Sequence, residues 1–378
     1  MGKIWKKALD GITPYKPGKP IEEVERELGL KNVIKLASNE NAMGPSPGAV
    51  EAIRTGAKNV ARYPEGGCFG LRKALSGKLG ISGENIVFGN GSDEIIILAL
   101  RAFLNPGEEV IIADPTFAVY RIASAIEGGV VRSAGRREAY RYDVDAILGM
   151  VTSGTKIIFL ANPDNPTGSY MGAGDMEKLV NKIPPDVLLF LDEAYYEYAA
   201  GGDYPETLGL IERKDRNVII ARTFSKAYAL AGLRVGYGIA RKDIAQVLNK
   251  VREPFNVNSL AQAAAIAALK DTAHLNAALD LVRREKKRFY ERFDSLGIGY
   301  VPSSTNFILL DTGRDSKKVF EYLLHRGVVV REMSAWRLDG FIRVTIGLEK
   351  ENDVFFEAFA EAMREIPKKS RGAPECAP

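Results

Sequence analysis

The chain has 378 residues, 46% hydrophobic and 26% charged, with 52 Lys and Arg against 48 Asp and Glu for a formal net charge of +4. That is the composition of a globular protein of about two domains with a large core, and its charge is too even for a nucleic-acid or membrane-surface protein. Two Cys (Cys68, Cys376), two His (His274, His325) and no G-x-S-x-G or H-E-x-x-H segment argue against a zinc site, a disulfide framework and a Ser-His-Asp hydrolase, and with no apolar leader or spanning run they suit a reducing cytoplasm.

The first 35 residues carry Pro14, Pro17 and Pro20 and one short helix over 21–28 that Gly29 ends, so 1–35 is expected to be an arm laid over the rest. Short apolar runs then alternate with helical patterns. Strands are expected at 86–88, 109–113, 130–133, 156–161, 187–192, 217–221 and 234–240. Helices are expected at 92–104, 117–127, 143–151, 175–182 and 204–211. Runs such as KIIFLA and VLLFLD are apolar almost throughout, as strands covered on both faces are. The alternation predicts an α/β domain over 36–254, a mainly parallel seven-stranded sheet flanked by helices.

After about residue 252 the pattern changes. Helices at 259–270 and 272–296 precede short strands and helices at 306–311, 315–325, 328–331 and 341–346, with a last helix from 350. A smaller α+β domain over 255–366 and a disordered tail over 367–378 are expected.

In open α/β sheets ligands bind beyond the carboxyl ends of the strands. Gly89-Asn-Gly-Ser-Asp-Glu94 follows the first strand. Its glycines let the backbone curl, Ser92 or Asp93 can cap the next helix, and the loop from Gly91 then makes an anion site or a plain capped turn. Asn162-Pro-Asp-Asn-Pro-Thr-Gly168 is a rigid turn that presents Asn165. Asp192 ends a buried strand, where a carboxylate is expensive unless a cation meets it. A structural ion pair, a helix cap or the counter-ion of a cationic ligand all fit, with Tyr195 close by. Lys226 follows Thr223 and Ser225, and Arg234 comes eight residues later, so the segment can bind a phosphate while its amine bonds a carbonyl. Phe117, in DPTFAVY, can stack on a ring or fill a core.

Taken together, these loops offer what pyridoxal 5'-phosphate requires: an amine, an acid for the ring nitrogen, donors for the ring oxygen and a phosphate cradle. The segments TPYKPGKP, RYPEG, GNGSDE, DPTFAVY, NPDNPTG, LDEAYYEY, TFSKAYALAGLRVGY, PFNVNSLAQ and FIRVTIG resemble the fold-type-I pyridoxal-phosphate aminotransferases. Within them the chain is most similar to histidinol-phosphate aminotransferases, from about residue 12 to about 363.

The resemblance implies the aspartate-aminotransferase-like fold and a cytoplasmic homodimer without metal. It implies transamination of L-histidinol phosphate with 2-oxoglutarate, giving imidazole-acetol phosphate and L-glutamate in histidine biosynthesis. Aromatic amino-acid aminotransferases and threonine-phosphate decarboxylases share most of the cofactor residues. On this resemblance Lys226 binds the cofactor covalently, Asp192 pairs with the ring nitrogen, and Asn165 and Tyr195 hold the ring oxygen. Phe117 stacks on the ring, and Gly91, Ser92, Asp93, Thr223, Ser225 and Arg234 surround the phosphate. Tyr63 reaches that phosphate from the partner subunit, and Arg343, with Arg331 and Tyr15, takes the substrate's anion. The chain departs from the family at Glu65-Gly66-Gly67-Cys68, where an Asp is more usual, and at Trp336-Arg337, where an aromatic is often followed by Gly.

Overall fold

A computed structural model describes residues 4–14 and 18–368 of the chain. Tyr15 and residues 369–378, most of the expected tail, lie outside the described residues. Two compact units form: residues 43–279 with 4–14, and residues 280–368 with 18–42.

The first unit is built on seven strands: β1 (Ile86–Gly89), β2 (Glu109–Ala113), β3 (Val130–Ala134), β4 (Thr155–Ala161), β5 (Leu188–Asp192), β6 (Asn217–Thr223) and β7 (Gly236–Ala240). Their order across the sheet is β1-β7-β6-β5-β4-β2-β3. Only β7 runs against its neighbours, β1 and β6. Side chains alternate between the two faces of a strand, and here each face has its own core. Leu189 and Leu191 join Phe88, Ile158 and Ile220 on one side, while Leu188 and Phe190 join Val110, Phe159 and Ile219 on the other. That is why the central strands read as unbroken apolar runs. Each such side chain taken out of water contributes about 1.5–3 kcal/mol.

The helix expected at 204–211 does not form; a single tight turn, Leu208–Glu212, takes its place. Pro205 interrupts the stretch, and Tyr204 instead turns inward to donate to Asn162 O at 2.5 Å. The helix Ser259–Lys270 is capped by Asn258, whose Oδ1 accepts from Ala261 N at 2.8 Å. Its alanines at 261, 264, 265 and 268 are buried, so it packs closely on the helices Pro47–Gly56 and Phe69–Leu79. This contact keeps residues 255–279 in the first unit, past the boundary expected at 254.

The second unit carries a sheet of β8 (Gly299–Val301), β9 (Phe307–Asp311), β10 (Arg331–Glu332) and β11 (Phe341–Thr345), antiparallel in the order β10-β11-β9-β8. Phe289, Phe293, Phe355 and Phe359 form its aromatic core, with Phe289 and Phe355 stacked at 5.6 Å. The helix Ile21–Leu28 forms as expected, but residues 18–42 belong to this unit itself, where an arm over 1–35 laid on the rest was expected. Ile34–Lys35 pairs in parallel with Val328–Val329, and Val24 and Val33 pack against Leu324 and Val329. The single strand expected at 328–331 is therefore two, one in this pair and one, β10, in the larger sheet.

Candidate active site

In the first unit the loops beyond the carboxyl ends of β1, β2, β4, β5 and β6 carry the residues singled out in the sequence. Asp192, the last residue of β5, is 5% exposed. Its Oδ2 accepts from the Tyr120 hydroxyl at 2.7 Å and its Oδ1 from Ala194 N at 3.1 Å. Burial pushes the carboxyl up to about 7, against the Tyr120 hydrogen bond that favours the charged form, and the charge of Asp93 adds to the rise. No ion pair reaches Asp192 among the described residues. A cation brought to it would restore its charge.

Lys226 lies three residues beyond β6, half-buried, with Nζ 5.7 Å from the centre of the Tyr195 ring. Tyr195 is itself buried, and Asn165 is half-buried in the turn after β4. Phe117, half-buried just ahead of the helix Ala118–Ile126, meets the Tyr120 ring edge-on at 5.6 Å.

The anion cradle forms between β1, β6 and β7. Neither Ser92 nor Asp93 caps the helix Ser92–Phe103: Gly91, at φ +78°, takes the cap position, and no side chain among the described residues closes the first turn. The helix therefore presents its N–H groups and positive dipole end to a ligand. Glu94 turns away from that role and accepts from Asn90 N at 2.5 Å and Asn256 Nδ2 at 2.8 Å. Arg234 Nη1 reaches Ser225 Oγ at 3.5 Å, Arg234 Nη2 reaches Asp93 Oδ2 at 3.4 Å, and Thr223 Oγ1 lies 3.0 Å from Ser225 Oγ. A Cβ on Gly91 would stand 2.7 Å from Arg234 Nη2, so only glycine leaves the guanidinium its place.

Gly236 is tighter still: a Cβ there would lie 2.5 Å from Ser92 N and 2.9 Å from Arg222 O, both backbone. Gly236→Ala is expected to push β7 off the cradle, at a cost of about 1–3 kcal/mol. Thermal unfolding and a cofactor titration of the variant check this; an unchanged melting temperature and unchanged affinity would contradict the packing argument.

Several residues that shape the site carried no recognisable signal in the sequence. Tyr120 is one. Arg136 and Asp164 form a buried ion pair at 2.9 Å, and Asp164 also accepts from Thr116 and Thr167 hydroxyls, each at 2.7 Å. Arg136 donates to Ala113 O and Pro115 O as well, which ties the loop of Phe117 to the loop of Asn165. A second buried pair, Arg222 with Glu193 at 2.7 Å, joins the ends of β6 and β5 beside Lys226 and Asp192. Arg222 also lies 3.6 Å from the centre of the Tyr196 ring. Sequence spacing cannot mate these partners, which are 28 and 29 residues apart.

Glu65, the departure noted after RYP, has a local task. Its carboxylate accepts from Gly67 N at 2.8 Å and Phe69 N at 2.5 Å, closing the start of the helix Phe69–Leu79 where Cys68 supplies no side-chain cap. Tyr63, upstream on that loop, is 84% exposed and stacks on Phe255 at 5.0 Å.

The second unit holds the other arginines. Arg331 and Arg343 are direct partners across β10 and β11. Arg343 is buried, donates from Nη2 to Ala37 O at 3.0 Å and sits over the Phe307 ring; Arg331 sits 5.0 Å from the Trp336 ring. Like charges set opposite each other repel, which an anion between them relieves. Arg337, at φ +58°, adopts the left-handed conformation in which a glycine costs least.

A model of the family Aminotransferase class I and II matches residues 31–359. The chain belongs to this family. It is 47% identical to the histidinol-phosphate aminotransferase of Moorella thermoacetica over 95% of this chain and 92% of that one. It is 43% identical to histidinol-phosphate aminotransferase 2 of Pseudomonas aeruginosa over 93% and 95%. Among solved structures, histidinol-phosphate aminotransferase from Sinorhizobium meliloti in complex with pyridoxal-5'-phosphate superposes with a TM-score of 0.88 at 30% identity, covering 96% of this chain and 98% of that one. Aspartate aminotransferase from Thermus thermophilus, at 23% identity and a TM-score of 0.82, shares the fold.

The residues of the first unit fit the cofactor of such an enzyme. The donor set offers a buried acid, a nearby amine and a cradle of hydroxyls, guanidinium and helix N–H groups whose glycines admit nothing larger. Among the described residues no group of three or more His, Cys, Asp and Glu could hold a metal ion, and no helix is long and apolar enough to cross a membrane.

Proposed function

We propose that this aminotransferase acts on L-histidinol phosphate and 2-oxoglutarate, giving imidazole-acetol phosphate and L-glutamate, with pyridoxal 5'-phosphate as cofactor. The observation that carries the substrate is the likeness, over nearly the whole chain, to enzymes named for histidinol phosphate. Bound pyridoxal phosphate supplies an electron sink for the carbanion formed next to the substrate nitrogen.

The chain's own residues do the rest. Ser92, Asp93, Thr223, Ser225 and Arg234 bind and orient the phosphate, with Gly91 keeping the space. The carboxylate of Asp192 holds a proton on the ring nitrogen. Asn165 and Tyr195 orient the ring oxygen, and Phe117 packs against the ring face. Lys226 Nζ is the amine that would hold the cofactor covalently, and when free it would serve as the base that takes a proton from the substrate carbon and returns it elsewhere. Arg343 and Arg331 hold the anion that each substrate carries, phosphate in one and carboxylate in the other; the register of the two arginines supports a doubly basic pocket. We also infer a homodimer in which Tyr63 serves the partner's phosphate. Its exposure beside Phe255 supports that role.

Purified protein is expected to convert histidinol phosphate with 2-oxoglutarate at a kcat/KM at least tenfold above that for phenylalanine, a difference of about 1.4 kcal/mol or more. A preference for phenylalanine would make it an aromatic amino-acid aminotransferase. Release of carbon dioxide from a phosphorylated amino acid would make it a decarboxylase.

A further inference from the structure

We propose that Tyr120 is a positioning residue for the reaction: its hydroxyl holds Asp192 ionised and oriented, and so governs how firmly the cofactor's ring nitrogen keeps its proton. The inference rests on Asp192 being the partner of that nitrogen.

Tyr120 is fully buried in the helix Ala118–Ile126. Its ring is stacked on Phe159 of β4 at 5.0 Å with planes 6° apart, and stands edge-on to Phe117 at 5.6 Å and 84°. Held on two sides, the hydroxyl reaches Asp192 Oδ2 at 2.7 Å. Burial and the neighbouring carboxylate raise the phenol well above its ordinary value, so the hydroxyl keeps its proton and donates to the ionised acid. A donor fixed on a carboxylate favours its charged form, and among the described residues Asp192 has one other, Ala194 N at 3.1 Å. Each carboxylate oxygen has a further lone pair with which it can accept from a protonated ring nitrogen. The same ring sets the edge of Phe117, so one side chain supports the residue beneath the cofactor ring and the acid at its end.

Tyr120→Phe removes the donor and keeps the ring. With pyridoxal phosphate isotopically labelled at its ring nitrogen, nuclear magnetic resonance of the holoenzyme reads the proton on that atom directly. The variant is expected to move this resonance toward the unprotonated form and to lower kcat about tenfold or more with KM changed less than about threefold, as loss of a hydrogen bond to a charged group implies. Phe159→Leu loosens the stack but keeps the hydroxyl, and is expected to move the resonance less than Tyr120→Phe does. Replacing Tyr120 by 3-fluorotyrosine, a stronger donor of the same shape, is expected to move it the opposite way. In an Asp192→Asn background, Tyr120→Phe is expected to add little, because the two groups act as a unit.

If Tyr120→Phe leaves the resonance unmoved while Asp192→Asn shifts it, or if its effect is as large in the Asp192→Asn background, Tyr120 has no such role. If Asp192→Asn itself leaves the resonance unmoved, the assignment of Asp192 to the ring nitrogen fails instead.

Discussion

Lys226→Ala is expected to reduce turnover by roughly 10⁴-fold or more, because the proposed function gives this one side chain two tasks, covalent binding and proton transfer. The backbone that carries Lys226 is well anchored. Thr223 ends β6, Ser225 N donates to Thr223 Oγ1 at 3.1 Å, and Phe224 is fully buried in the core. Removing the amine leaves those anchors and the whole phosphate cradle intact, so the variant is expected to fold and to retain the cofactor non-covalently. Steady-state kcat measures the first effect and absorbance of the gel-filtered protein the second. Borohydride reduction of the wild type, followed by peptide mapping, is expected to label Lys226; a label on any other lysine would overturn the assignment.

Asp192→Asn is expected to lower kcat by roughly 10²-fold or more while changing substrate binding little, since a neutral amide cannot hold a proton on the ring nitrogen by charge. The low-dielectric surroundings make that charge worth far more than it would be in water. Near-normal kcat in a folded, cofactor-loaded variant would remove Asp192 from this role.

The same residue makes a separate prediction for the cofactor-free protein. Its folded-state value is pushed up to about 7 from the ordinary 3.8, so between these two values the native state binds more protons than the unfolded one. The stability contributed by this group is full below the ordinary carboxylate value and is lost as pH rises through the folded one. Asp192→Asn should therefore flatten the pH dependence of stability over that interval. Urea midpoints of both proteins at about pH 5 and about pH 8 measure this, and an equal fall in wild type and variant would assign the slope to other groups.

Much of the first unit is legible along the chain because its physics is local or periodic. VLLFLD and KIIFLA had to be strands covered on both sides, and they are. Gly91, Asn165, Asp192 and Lys226 stand out because each lies at the carboxyl end of such a strand or within four residues of it, where the fold class places ligands. The helices Ser259–Lys270 and Thr272–Leu296 matched their expected ends because their boundaries rest on capping and composition. The domain boundaries were not legible. Whether residues 18–42 lie over the rest as an arm or join a sheet depends on the pairing of Ile34–Lys35 with Val328–Val329, some 290 residues away.

The sequence by itself determined the layered α/β architecture, the loops that carry the chemistry and the residue types in them, since strand periodicity, turn residues and buried charge act over a few neighbouring positions. Only the tertiary structure decided which side chains meet. Tyr120 was one more apolar-face residue of a helix until its hydroxyl came to Asp192, 72 positions on. Arg136 was one of three arginines in a charged stretch until it closed on Asp164. The facing of Arg331 and Arg343 followed from the register of β10 on β11. These are contacts across sequence, whose geometry is set by how sheets and helices stack, and no local pattern in the chain encodes that distance.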